Sequence, residues 1–525
     1  MATVRPSTAD AGWLARSLEL SALITFVALF FLVPDGATPW VLIANLVTFY
    51  TLILRALAVP DRILPWLPNY LSIEVLFFAF SYLIFYYQYQ LFLFGATDLR
   101  ASVYVSNSFV DGSNKAITLT TVGMLAFTIG YRALGTATRD VGSAGDPSSR
   151  DEHAAAATQY FRAMATASST MLLALIALYV LAGWRSAGEG RYTGTISEGV
   201  GVEGVAVAIV MFCMIVAALW VYARAAQVRT PPLLALGLVV AFSWTGRLLV
   251  LGDRNAFLLF ALVVAGGYFT FVHRASRVLL AVALGIWMFV YRSIEVLRFT
   301  PNWYRSANIW ELIQNSPYSR QTSGESSFNV TTIGLRATVE KFPEIYDFTY
   351  GVLKLIQFST IIPFSGKVYL PYLNPEYTSS AVMLGDIMLP AAAKYEPGTN
   401  VISDSYIDFG VPGVVVLLFG IGLFAKAVRN YVARDPNDAH RVVMYLLTMA
   451  LLAELPRYAI EIPARTLAWA LIFSTVIGLF AGRFRPQSSA SNSRQRLRTS
   501  QLRATAESSR HDCATVDATR RTNMM

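Results

Sequence analysis

The stretch "PLLALGLVVAFSWTGRLLVLGDRNAFLLFALVVAGGYFTFV", residues 232–272, decides the fold. Two apolar runs, about 232–250 and 255–272, flank the polar turn "GDRN". Each run approaches the roughly 20 apolar residues that a helix needs to cross the hydrocarbon core. The segment therefore reads as two membrane helices joined by a tight turn, with Arg247 and Arg254 at their adjoining ends.

Working outward, comparable runs fall at about 18–33, 40–58, 70–93, 115–132, 163–183 and 202–222 before the hairpin, and at 278–294, 409–428, 441–456 and 466–482 after it. The expected fold is all-α and polytopic, with about 12 transmembrane helices. The 525 residues are 55% hydrophobic and 14% charged, with mean hydropathy +0.49, which is too apolar for a soluble chain of this size. The net charge of +9 lies mostly in loops and the tail, so it carries no nucleic-acid signal. Cys213 and Cys513 provide neither a disulfide framework nor a metal cluster. The first apolar run ends at Val33-Pro34-Asp35 without a small-residue cleavage pattern, so no cleaved signal peptide is expected.

Charge sets the expected orientation. Alternate loops carry Arg5 and Arg16; Arg55 and Arg62; Arg132, Arg139, Arg150 and Arg162; Arg224 and Arg229; Arg274 and Arg277; and Lys426, Arg429, Arg434 and Arg441. The positive-inside rule places these loops, and both termini, in the cytoplasm. Residues 1–294 then hold nine helices, 295–408 form one long extracytoplasmic loop between the ninth and tenth, 409–485 hold three more helices, and 486–525 form a disordered tail. The loop contains "YGVLKLIQFSTIIPF" (350–364), which reads as an amphipathic helix lying on the membrane or packed over the bundle.

Arg247 and Arg254 fall on the outer side, against the insertion bias. A second outer hairpin, "AELPRYAIEIPARTLAW" (453–469), holds Glu454, Arg457, Glu461 and Arg465. If helical, Arg457, Glu461 and Arg465 share a face, although Pro456 and Pro463 distort it. A third group, "YRSIEVLRF" (291–299), holds Arg292, Glu295 and Arg298. An arginine at the bilayer centre costs about 2.5–3.5 kcal/mol and less near the interface. Two readings stand: snorkelling or ion-paired arginines, or a site for an anionic headgroup, because guanidinium forks bind phosphate oxygens bidentately. Glu74, near the inner end of the third span, reads as an interfacial residue or a partner of Arg55 or Arg62.

The sequence resembles the O-antigen polymerase (Wzy-type) family. The matching features are "GDRNAFLLF" (252–260), "YGVLKLIQFSTIIP" (350–363) and above all "GTNVISDSYIDFGVPGVVVLLFGIG" (398–422), together with the late, single long external loop. The resemblance implies a glycosyltransferase that polymerises undecaprenyl-pyrophosphate-linked oligosaccharide units into a surface polysaccharide, with no metal or other cofactor. Its implied partners are the lipid-linked oligosaccharide, the bilayer, and a chain-length regulator and flippase of the same pathway. The site would face outward from the plasma membrane. Arg254 matches the family's glycine-arginine turn and takes the pyrophosphate role; topology extends that role to Arg247, Arg298, Arg457 and Arg465. For the base that deprotonates the acceptor hydroxyl, the candidates are Asp404 and Asp408, with Asn400 and Tyr406 as acceptor-side loop residues. Asn400, Ser403 or Asp404 equally suits a helix N-cap. The related ligases use an external histidine, whereas His153, His273, His440 and His511 all fall on the inner side here. The alternative class is a transporter or flippase of a lipid-linked or small-molecule substrate. Its expected signs, inverted repeats and charged residues at the midplane, are not evident.

Overall fold

The computed structural model describes residues 8–100, 109–135, 147–185, 202–276, 308–315, 327–362, 379–389 and 397–483, with isolated positions at 278–293 and 365. Residues 1–475 form one compact unit. Residues 476–525 form a second, whose described part is helical, 476–483. Arg298, most of the ninth predicted span and the tail lie outside the described residues.

The first part of the chain gives α1 (Thr8–Leu32), α2 (Pro39–Ala58), α3 (Ile73–Leu93), α4 (Ser113–Ala133), α5 (Pro147–Leu181), α6 (Val202–Ala225), α7 (Pro232–Val250) and α8 (Arg254–Phe271). The loop region contributes α9 (Ile309–Asn315), α10 (Ser327–Lys341), α11 (Val352–Ser359) and α12 (Ser380–Met388). The chain continues with α13 (Val401–Arg434), α14 (Ala439–Glu454) and α15 (Glu461–Arg483). Among the described residues, nine helical stretches are long and apolar enough to cross a membrane. Helices α1 and α4 coincide with predicted spans but are not among those nine. In α4 the reason is visible in "NKAITLTTVG": its polarity comes from buried threonines. Thr120, Thr121 and Thr128 donate to the carbonyls of Ala116, Ile117 and Met124 at 2.8–3.0 Å, so their hydroxyls are satisfied inside the bundle. The only β structure among the described residues is a small antiparallel hairpin, Asp61–Leu64 with Leu67–Asn69.

Helix α13 packs along α4 through glycines. A Cβ on Gly422 would sit 2.1 Å from the Phe127 carbonyl oxygen, and one on Gly130 would sit 2.1 Å from that of Phe419. Small residues let membrane helices approach until their backbones touch. Two residues earlier, on the opposite side of α13, a Cβ on Gly420 would meet nothing within 4 Å, because that face is not covered.

The long helix α13 is broken where Gly410 takes φ 64°, ψ −147°, two residues before Pro412. Proline has no N–H to give the Asp408 carbonyl four residues back. The segment between α10 and α11 fills the gap: Thr349 N–H donates to the Ile407 carbonyl and Tyr350 N–H to that of Asp408, both at 3.0 Å. The loop region is thereby bound to the bundle at this break. Helix α10 is also packed into the bundle. Thr332 donates to the Ile84 carbonyl at 2.5 Å, within the π-helical turn Tyr82–Tyr86 of α3. The buried Arg336 donates to the Leu99 carbonyl at 2.8 Å. The 350–364 run accordingly follows its second reading, packed over the bundle through Leu353, Ile356 and Gln357.

Among the described residues, three basic residues of the alternate loops, Arg55, Arg132 and Arg429, pair with acidic side chains. Arg429 grips Asp61 through Nε and Nη2 at 2.9 and 2.8 Å. Glu19 pairs with Arg55 at 2.6 Å and with Arg132. Glu74 faces Arg132 at 3.6 Å rather than Arg55 or Arg62.

Replacing Gly422 with valine should cost about 1–3 kcal/mol or more through overpacking, seen as a lower unfolding temperature in detergent, while Gly420→Ala should cost nothing. Equal losses would remove the close-approach account of α4 and α13. A second expectation concerns Glu340, which accepts from Gly112 N–H at 2.6 Å. Burial pushes its carboxyl from the ordinary 4.5 to about 7, against the pull of that hydrogen bond. The folded chain then holds a proton that the unfolded chain has already lost, so stability falls as pH rises from about 4.5 to about 7. Glu340→Gln should flatten that part of the stability–pH curve. A curve unchanged by the substitution would show that Glu340 does not titrate there.

Candidate functional site

The turn "GDRN" joins α7 to the start of α8. Gly252 has φ 101°, a conformation that suits glycine, and turns the chain from α7 into α8. Asp253 caps α8 by accepting from Asn255 N–H at 3.0 Å. Its desolvation pushes the carboxyl above its usual range. Arg254, the first helical residue, is only 3% exposed.

Arg254 lines a cavity of about 310 Å³ between α6, α7, α8, α14 and the start of α15. Arg457 lines the same cavity and donates through Nη1 to Asn255 Oδ1 at 3.1 Å. Glu454, one turn before Arg457, also lines it and is 4% exposed. Neither Glu454 oxygen has a hydrogen-bond partner among the described residues. A buried carboxyl without a donor is costly and is the kind of group that functional sites retain.

The five predicted arginines do not all meet. Arg254 and Arg457 share the cavity. Arg247 is exposed and stacks on Trp244, a lining residue, with its Cζ 4.9 Å from the ring centre. Arg465 stacks on Trp469 at 5.7 Å, and that indole donates to the Ile361 carbonyl at 2.8 Å. The common face expected for Arg457, Glu461 and Arg465 does not form. Pro456 sits in a short 3-10 turn, Leu455–Arg457, that ends α14, and α15 begins only at Glu461.

Asp404 and Asp408 share one side of α13, as the spacing predicts, but face α11 rather than the cavity. Lys354 Nζ bridges them, 3.0 Å from Asp404 Oδ2 and 2.8 Å from Asp408 Oδ2. Asp404 also accepts from Gln357 Nε2 at 2.5 Å, Ser380 Oγ at 2.8 Å and Ile460 N–H at 3.4 Å. Asp408 also accepts from Thr349 Oγ1 and from Gly351 N–H at 3.2 Å. Three of the four carboxylate oxygens accept hydrogen bonds, and among the described residues Asp408 Oδ2 is answered by the Lys354 ammonium alone. Of the three N-cap candidates, Asn400 takes the role, accepting from Ser403 N–H at 2.8 Å and donating to the Thr331 carbonyl at 3.2 Å. Tyr406 is buried edge-on between Phe30 and Phe348, at 6.0 and 5.7 Å.

Two residues of this region escaped the sequence reading. Lys354 had a signal: a lone cation in an apolar run, which must find anions if its helix is buried. Glu454 read as one charge of a hairpin, because its lack of a partner is a property of packing. The segment 455–463 divides the region. Tyr458 and Ile462 line the cavity, Leu455 and Ile460 line an apolar groove on the other side, and Pro463 lines both.

No curated protein and no solved structure matches the chain. The family model of the O-antigen polysaccharide polymerase Wzy matches residues 23–484, which include every residue of the cavity and of the Lys354 cluster. The chain is therefore a member of the O-antigen polysaccharide polymerase Wzy family, as the "GDRNAFLLF" and 398–422 motifs led us to expect.

Proposed function

We propose that this chain is a glycosyltransferase that joins polyprenyl-pyrophosphate-linked oligosaccharide repeat units on the outer face of the plasma membrane, building a surface polysaccharide. The observation that carries this reading is the cavity in which Arg254 and Arg457 stand beside the unpartnered carboxyl of Glu454. Family membership supports the choice of a lipid-linked repeat unit as substrate.

In this reading the acceptor hydroxyl gives its proton to Glu454, and its oxygen bonds to the anomeric carbon of the growing chain. The bond from that carbon to the pyrophosphate breaks, and the electron pair leaves on the polyprenyl pyrophosphate. Arg254 and Arg457 neutralise the charge that develops there, in a setting partly shielded from water. The proton on Glu454 then passes to solvent, restoring the base. Asp404 and Asp408, the carboxylates to which the sequence points, hold α11 and the 455–463 segment in place through Lys354 and Ile460. In the cell its partners in this reading are a chain-length regulator and a flippase of the same pathway, while chain growth itself needs neither.

Purified protein given lipid-pyrophosphate oligosaccharide should produce a ladder of longer chains. Transport of labelled substrate across vesicles without a ladder would instead make it a transporter. Arg254→Ala should lower chain growth by about ten- to a hundredfold or more, corresponding to a charged contact of about 1.5–3 kcal/mol, with the protein still inserted. Arg254→Lys should restore little if the contact is bidentate. Glu454→Gln should reduce the rate by about 10²–10⁴-fold, the usual contribution of a general base. A Glu454→Gln protein with undiminished turnover would remove that residue from the mechanism.

A further inference from the structure

On the far side of the 455–463 segment, α13, α14 and α15 enclose a groove of about 920 Å³. Its mouth carries Lys354 and Asp408, and its other extreme reaches Tyr431 and His440. Between those ends the lining is almost entirely apolar, with Thr448 among the few exceptions. Beyond the break in α13 the groove runs from Gly413 to Tyr431, about 27 Å at 1.5 Å per residue, against a hydrocarbon core of about 30 Å. The trough is thus nearly as long as the apolar thickness.

We propose that this groove holds the polyprenyl tail of a lipid-linked substrate, an inference that rests on the function proposed above. Three observations favour that occupant. First, the groove adjoins the charged site: Pro463 lines both, so a tail lying in the groove brings its head to the wall of the Arg254–Arg457 cavity. Second, its length exceeds what one leaflet offers. A phospholipid acyl chain ends near the midplane, about 15 Å in, whereas a long isoprenoid can fill the trough from end to end. Third, small residues line the groove, Gly420 on α13 and Ala464 and Ala468 on α15. Between them α14 supplies a floor of Met444 and Leu452. A side chain added at Gly420 would project into empty space.

The test uses the full chain in phospholipid nanodiscs and a polyprenyl pyrophosphate carrying a diazirine on its last isoprene unit. The labelled peptides are read by mass spectrometry. Label should fall near Tyr431, His440 and Met444, and an excess of unmodified polyprenyl pyrophosphate should suppress it at least tenfold. Gly420→Phe, whose Cβ would meet nothing within 4 Å, should melt at the wild-type temperature, fill part of the trough, lower the label about tenfold and raise KM for the long-tailed substrate. Label elsewhere, suppression by added phosphatidylethanolamine to the same degree, or label undiminished in Gly420→Phe would overturn the proposal. Groove labelling in a protein that makes no chains would remove the polymerase reading and leave the groove assignment standing. Chain growth without groove labelling would do the reverse.

Discussion

The break in α13 at Gly410 and Pro412 is the constraint on which the site region depends. A membrane helix cannot leave carbonyls unpaired in hydrocarbon, so the break persists only because another segment supplies donors. Thr349 and Tyr350 do so, and their hydrogen bonds fix where α11 begins. With α11 in place, Lys354 falls between Asp404 and Asp408, and the buried charges satisfy one another. Asp404 in turn takes Ile460 N–H, which ties the 455–463 segment to α13. One missing amide thus propagates into the position of the wall between the cavity and the groove.

The two spaces on either side of that wall are chemically opposite. The cavity has guanidinium, carboxyl and amide groups at a helix N-terminus; the groove has aromatic, branched and small apolar groups along nearly the full span. An amphiphile with a charged head and a long tail matches the pair better than it matches either alone. Arg254 and Arg457 line the cavity beside Glu454, while Arg247 and Arg465 rest on tryptophan faces.

The bundle beneath is assembled by close approach as much as by apolar burial. Between membrane helices lipid is as apolar as leucine, so packing must come from shape. Gly130 and Gly422 provide it by bringing α4 and α13 into backbone contact. The buried threonines of α4 add no unsatisfied hydroxyls, because they bond within their own helix.

Hydropathy and charge alternation carried the helical spans, the family motifs and the candidacy of Arg254, because those properties are local: length, composition and a turn with glycine and arginine. They could not carry the partners of buried groups. Asp404 and Asp408 looked like free carboxylates because Lys354, some 50 residues earlier, is brought to them only by the loop that caps the break. The face that spacing offers to Arg457 and Arg465 is lost because Pro456 lies in the turn that ends α14, whereas Pro463 is accommodated in the first turn of α15. Glu454 acquired its isolation from four surrounding helices rather than from its neighbours in sequence. Which charges end up paired, and which face an empty space, is a property of three-dimensional packing, and tertiary structure alone decided it.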